Sequence, residues 1–211
     1  MWRVGTSAAA LLAVVCVASV AGAQIAESAS EIRPVLIGQT LPEINLKTVD
    51  GEPFALHEAV KRKQTVIVIY RGGWCYYCNR QLGQLRLIEK QLGELGYQII
   101  AISPDKPEAL QKTRELHKLG VILLSDPDLK AAQALGLAYK FSPADFGSEE
   151  IRVRAEAYLK SQGIKIESLP NPGVFLVSNK RTIFFSYVNI DFRVRLSAEV
   201  LLTAAKVYSS R

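Results

Sequence analysis

The sequence predicts an α/β fold, a single domain with a mixed sheet, helices on both faces and a helical insert. Three observations carry that expectation. Unbroken apolar runs recur at Thr65–Tyr70, Tyr97–Ser103 and Val121–Leu124, as expected of strands buried on both faces of a sheet. Helical periodicity separates them, and strand, helix, strand, helix, strand in that order argues for parallel βαβ units. Two cysteines, Cys75 and Cys78, sit where the first run gives way to the first long helix.

Each element follows from its residues. Asp50-Gly51 marks the turn of an entry hairpin within residues 38–54. Leu82, Leu85, Ile88, Leu92 and Leu95 recur at helical spacing directly after the cysteines. A second helix is expected from Pro107 to Leu119, stopped by Gly120. In the third, Asp126 is the cap, Pro127 the first residue and Gly136 the end. Residues 173–178 and 182–189 flank Asn179-Lys180 as a second hairpin, and a last helix runs from Ser197 to about Tyr208. Between them, residues 141–169 break the alternation. Pro143, a charged amphipathic stretch with Ile151, Ala155, Tyr158 and Leu159 on one face, and then Gly163 read as an inserted helix with loops, too small for a core of its own.

The 211 residues suffice for one such domain, expected over 35–208 behind a flexible lead-in at 24–34. Residues 1–23 read as a signal peptide: Arg3 supplies the positive region, Ser7 to Val20 is Ala-, Leu- and Val-rich, and Ala21-Gly22-Ala23 is a cleavage site. Uncleaved, the same stretch approaches the ~20 residues of a membrane anchor. Export to the periplasm or beyond is the expectation, with no stable membrane association after cleavage. The net charge of +6 is spread along the chain without a basic run, which is no evidence for a nucleic-acid partner.

Cleavage removes Cys16 and leaves two of the three cysteines, Cys75 and Cys78. An exported chain meets an oxidising compartment, where such a pair is kept for a reason. A helix N-terminus offers unpaired N–H groups and the positive end of the dipole, both of which favour a thiolate. Cys75, on the outer side, is the expected nucleophile and Cys78 the resolving thiol, with no metal and no cofactor beyond their own redox-active disulfide. Arg71 is the nearest cation in sequence and is expected to favour the Cys75 thiolate, although a surface or packing role competes with that reading. Half a zinc site is one alternative, weakened because zinc usually takes four ligands. An inert disulfide is the other, weakened because closing so short a loop removes little chain entropy. His57 and His117 are expected to pack rather than catalyse.

Gly38-Gln39-Thr40-Leu41-Pro42, the strand ending in Tyr70, Trp74-Cys75, Ala101-Ile102-Ser103-Pro104-Asp105 and Leu124-Ser125-Asp126-Pro127-Asp128 resemble the alkyl hydroperoxide reductase/thiol-specific antioxidant superfamily. Tyr70-Arg71-Gly72-Gly73-Trp74-Cys75 through Leu85 resembles its bacterial peroxiredoxin-like branch carrying a WCxxC. The resemblance covers roughly residues 35 to 205 apart from the insert. It implies a thioredoxin-like fold and an antioxidant or thiol-redox role. The Thr-x-x-Cys motif of peroxiredoxins places its Cys on Cys78 and its Thr on Cys75, and the family's later Arg falls on Pro172. Pro172 matches instead the cis-proline of thioredoxin-type reductases, which packs against the dithiol. Both departures favour dithiol exchange, so the expected activity is that of an exported thiol–disulfide oxidoreductase acting on a protein disulfide or thiol partner. A peroxiredoxin-type peroxidase acting on a small peroxide is the alternative, and a non-catalytic interaction module the second. The buried acid of thioredoxins is missing, since Ile69 occupies its place. Trp74, Tyr76 and Tyr77 are expected to shape the site.

Overall fold

A computed structural model describes residues 24–164 and 167–209, so the expected signal peptide at 1–23 lies outside the described residues. The chain enters through the Asp50-Gly51 hairpin, β1 (Asn45–Thr48) and β2 (Pro53–Ala55), with Gly51 at a φ of 84° that its turn requires. Then follow α1 (Leu56–Arg62), β3 (Gln64–Ile69), α2 (Tyr76–Glu94), β4 (Tyr97–Ser103), α3 (Pro107–His117) and β5 (Ile122–Ser125). The second half comprises α4 (Lys130–Ala134), β6 (Ala138–Lys140), α5 (Glu149–Ser161), β7 (Ser168–Pro170), β8 (Gly173–Val177), β9 (Ile183–Val188) and α6 (Ala198–Ser209).

Seven strands form one mixed sheet in the order β2-β1-β5-β4-β3-β8-β9. Its centre, β5-β4-β3, is parallel, and the remaining pairings are antiparallel. The central runs are continuously apolar because both faces are covered. Val66, Val68 and Tyr70 pack with Leu82, Leu85, Ile88 and Leu92 of α2 and with Leu201 and Ala205 of α6. Ile67 and Ile69, the alternate residues, pack with Leu56 and Val60 of α1 and with Ala131 and Leu135. Each fully buried Leu or Ile contributes about 1.5–3 kcal/mol by leaving water. The sheet is therefore held rigid at the point where β3 delivers the chain to Arg71. Among the described residues no helix is long and apolar enough to cross a membrane.

Several expectations are corrected in detail. The α3 helix ends on Lys118 in the left-handed region (φ 49°), two residues before Gly120. Asp126 does cap α4, but from a preceding turn: its Oδ2 accepts from the N–H of Ala131 and Ala132, and Leu129 rather than Pro127 stands at the helix entrance. The 24–34 segment is not loose. Ala26 donates to Ala138 O and accepts from Lys140 N, while Ile32 is buried. The insert holds a 3-10 turn (Pro143–Phe146) before α5, and its ends are joined by the antiparallel β6–β7 pair. Of the apolar face proposed for α5, Ala155 and Leu159 are buried, whereas Ile151 is exposed.

Gly136 shows how tightly the docked segment is held. It sits at φ 68°, and an added Cβ would lie 1.8 Å from the Arg33 carbonyl oxygen. Both its N–H and its carbonyl are engaged, the carbonyl by Arg33 N at 3.1 Å. Gly136→Ala is expected to cost about 2–3 kcal/mol through backbone strain and displacement of residues 32–35. Thermal unfolding should then show a midpoint about 5–10 °C lower.

Candidate functional site at the start of α2

The chain leaves β3 at Ile69, runs through Tyr70-Arg71-Gly72-Gly73-Trp74, and turns into α2 with Cys75 as its N-cap residue. Cys78 is the third residue of the helix. The loop is fixed from beneath by Asp105, whose Oδ2 accepts from Gly73 N at 2.8 Å and from Ser103 Oγ at 3.1 Å. Gly72 needs to be glycine: its φ is 123°, and a Cβ would meet Asp105 Oδ1 at 2.9 Å. From above, Asn79 Nδ2 donates to Gly73 O at 2.7 Å, and Cys75 N donates to Gly72 O. Burial raises the Asp105 pKa, against the lowering effect of these donors.

Cys75 and Cys78 are both free thiols and both buried, with exposures of 3% and 0%. Cys75 is thus not on an open outer side. Three donors converge on Cys78 instead. Arg71 N lies 3.4 Å from its Sγ, and Arg195 Nη2 lies 3.4 Å from the same sulfur. The Cys75 thiol donates to it as well. Arg195 Nη2 is 3.9 Å from Cys75 Sγ, and its Nη1 is anchored by Gln81 Oε1 at 3.0 Å, one helical turn beyond Cys78.

These contacts act differently on the two thiols. Burial pushes the Cys78 thiol up, but the hydrogen bond from Cys75, the charge of Arg195 and the Arg71 N–H outweigh it and bring it down to about 6. Cys75 moves the other way. Its hydrogen bond to Cys78 holds its proton, burial and the Cys78 charge add to that, and the Arg71 and Arg195 charges oppose it only partly. The donors thus favour the anion at Cys78 and the proton at Cys75, opposite to the assignment expected from helix position. The first turn of α2 favours an anion, and the directed donors are inside that turn rather than at its cap. A titration of thiolate absorbance on the reduced protein should show one step near pH 6, lost in Cys78→Ser. The second step should lie above the range of a free thiol.

Arg71 is fully buried and does not lie on the surface. Its guanidinium sits 4.2 Å from the centre of the Phe192 ring, 5.0 Å from Trp74 and 5.8 Å from Phe146. Its Nη1 donates to Asp145 O, in the 3-10 turn of the insert, at 2.9 Å. Trp74 packs on Phe146 with centroids 5.4 Å apart, so the insert covers one side of the loop. Tyr77 is half-buried and meets Phe192 edge-on, while Tyr76 is 69% exposed and faces solvent.

Pro172 is buried one step beyond the Ile69–Gly173 pair, level with Tyr70. The described residues contain no cis peptide bond, so the expected cis geometry at Asn171-Pro172 is corrected to trans. Asn171 is held there by its N–H to Leu137 O, just before β6, and its Nδ2 to Asn189 O, just after β9. Neither Arg195 nor Gln81 was foreseen from sequence. Arg195 lies 120 residues from Cys75, in a connection with no motif, and only the register of β8 and β9 brings it back over α2.

This geometry can be set beside that of known proteins. Residues 37–186 match the AhpC/TSA family. Peroxiredoxin Bcp of Bacillus subtilis is 31% identical over 123 residues, covering 58% of this chain and 76% of that protein. Peroxiredoxin Bcp of Escherichia coli is 28% identical, over 50% of this chain and 67% of that protein. Among solved structures, reduced Prx3 of Vibrio vulnificus in complex with hydrogen peroxide superposes with a TM-score of 0.65. The match has 18% identity and covers 81% of this chain and 99% of that one. Peroxidoxin BcpB of Mycobacterium tuberculosis gives 0.61 at 17% identity, over 82% and 97%. The mixed sheet is thus a thioredoxin-like one, as expected from the sequence, and with 150 matched residues enclosing β3, Cys75, Cys78 and β8 the chain belongs to the AhpC/TSA family of peroxiredoxin-like oxidoreductases.

Proposed function

We propose that this chain is a thiol peroxidase in which Cys78 attacks the peroxide and Cys75 resolves the product. The observation that carries the reading is the convergence of Arg71 N and Arg195 Nη2 on Cys78 Sγ, each at 3.4 Å. The Cys78 thiolate attacks the terminal oxygen of a hydroperoxide, the O–O bond breaks, and the alcohol or water leaves with a proton. Cys78 becomes a sulfenic acid. Cys75 then attacks that sulfur, the S–S bond forms, and the sulfenic oxygen departs as water. A dithiol reductant returns the pair to the thiol state.

The reading reverses the order of the two expected activities. The disulfide reductase calls for an accessible Cys75 thiolate and a cis Pro172, whereas Cys75 is buried and donates to Cys78 and the peptide bond is trans. Against the peroxidase stand the Cys75 found in place of a Thr and the Pro172 found in place of an Arg. Arg195 brings a guanidinium to the same sulfur from a different segment, and its fork suits it to hold a developing oxyanion. The peroxiredoxin relatives support the same choice. Export rests on the 1–23 segment and stays part of this proposal, with an electron-donating thiol protein of that compartment as the partner.

The test compares the two activities on the reduced protein. Stoichiometric hydrogen peroxide should convert both thiols to one intramolecular disulfide within seconds, and the reduction of insulin disulfides should be slow. Rapid insulin reduction with thiols that survive peroxide would reject the peroxidase.

A further inference from the structure

The Arg71 guanidinium lacks the partner that a buried cation ordinarily has. Its Nη1 reaches Asp145 O, but Nε and Nη2 are buried with no hydrogen-bond acceptor. Among the described residues no carboxylate lies within ion-pair distance of it. The faces of Phe192, Trp74 and Phe146 stabilise the charge in part, yet an unpaired buried guanidinium remains costly. The charge of Arg71 acts on Cys75 and on Tyr139, whose hydroxyl donates to Asp145 Oδ1 at 3.4 Å. Cys78 is already served by Arg195 and by the Arg71 backbone, which leaves the charge of Arg71 to act on Cys75.

We propose that Arg71 is the cation of the resolving thiol, held ready by the insert to stabilise Cys75 as a thiolate once Cys78 has been oxidised. The inference rests on the peroxidase reading above and concerns its second step. In the resting state Cys75 keeps its proton mainly because it donates to the Cys78 thiolate and lies beside its charge. Conversion of Cys78 to a neutral sulfenic acid removes both influences. Burial still opposes ionisation, but the Arg71 and Arg195 charges now act against burial alone. The Asp145 carboxylate faces the same cluster through the Tyr139 hydroxyl, and the Tyr139 pKa is pushed up, by burial first. Cys75 thus becomes acidic only after Cys78 has reacted, which keeps the two thiols from competing as nucleophiles. Its proton passes to water, its thiolate attacks the Cys78 sulfur, and as the S–O bond breaks the oxygen takes a proton from water and leaves as water. Asp145 and Phe146, which fix the guanidinium, give residues 141–169 a role at the dithiol.

Two measurements test this. The first is rapid mixing with peroxide, which separates a phase proportional to peroxide (sulfenic acid formation) from one independent of it (disulfide formation). Arg71→Met should slow the second phase about tenfold or more at pH 7, with recovery as pH rises, and slow it more than it slows the first. Arg71→Lys, which keeps the charge, should restore the second phase to within about threefold of the parent. The second measurement is the pH dependence of Cys75 alkylation in a Cys78→Ser background, where Arg71→Met should move the half-point up by about one pH unit or more. A packing role alone would not move that half-point. If Arg71→Met does not fold, as judged by circular dichroism, Arg71→Gln replaces it in both measurements. An unmoved half-point, equal slowing of both phases, or a folded Arg71→Lys protein that fails to restore the second phase would overturn the proposal. A parent protein that forms no sulfenic acid rejects the peroxidase instead, and the alkylation half-point then still decides the role of Arg71.

Discussion

Cys78→Ser should abolish peroxide reduction, lowering the single-turnover rate by about 10³-fold or more, because the attacking thiolate is removed outright. Cys75→Ser should behave differently. Its first oxidation should proceed within about tenfold of the parent rate, since Arg71 N and Arg195 still hold the Cys78 sulfur at 3.4 Å. The lost Cys75 hydrogen bond, one of the influences that lower Cys78, accounts for the decrement. With no resolving thiol the protein should stop at the sulfenic acid, which a dimedone adduct on Cys78 would register by mass spectrometry. The opposite pattern, an adduct on Cys75 in the Cys78→Ser protein at comparable rate, would restore Cys75 as the nucleophile. The contrast is sharp because the two thiols differ in donors and hardly in burial. Both are sealed from bulk water, so exposure cannot select between them, and hydrogen bonds and charge do.

That contrast also marks where sequence reasoning reached its limit. The sheet was legible because its signals are local: unbroken apolar runs for β3 and β4, helical spacing after Cys75, and turn residues at Gly51 and at Asn179-Lys180. The CxxC was legible for the same reason. What decides the chemistry is non-local. Helix position alone makes Cys75 the natural thiolate. The case for Cys78 depends on Arg195, which reaches the sulfur only after β8 and β9 have returned the chain along β3. Arg71 could be named as the nearest cation in sequence, but its backbone and its side chain serve different sulfurs, a separation that requires coordinates. Residues 141–169 were readable as an insert and opaque as to purpose, because Asp145 and Phe146 act on Arg71 across more than seventy residues of chain. The corrected helix ends have a smaller cause. Lys118 and Leu129 adopt left-handed backbone that composition assigns to glycine, so tertiary packing overrode local preference there.

Arg195→Met should cost peroxide reduction about 10²–10³-fold at pH 7, the effect of removing one oriented donor from a developing oxyanion, or about 3–4 kcal/mol. Two contributions make up that loss, and the pH profile separates them. The parent Cys78 is a thiolate above about pH 6, so its rate should fall only as the pH drops through that value. Without the Arg195 charge and hydrogen bond, two of the influences that lower Cys78 disappear while burial continues to raise it, and its half-point moves upward. The variant should therefore be most impaired at about pH 6 and below, and should recover in part as the pH rises towards its own half-point. The deficit that persists above the variant's own half-point measures the donor lost from the transition state, since ionisation no longer differs there. Gln81→Leu offers an internal check: it leaves Arg195 in place but frees its Nη1 from Gln81 Oε1. It should give a smaller loss, about three- to tenfold, with little change in the half-point, as expected for a residue that orients the guanidinium without touching sulfur. A profile for Arg195→Met that coincides with the parent at every pH would remove Arg195 from the site and, with it, the main support for peroxide chemistry at Cys78.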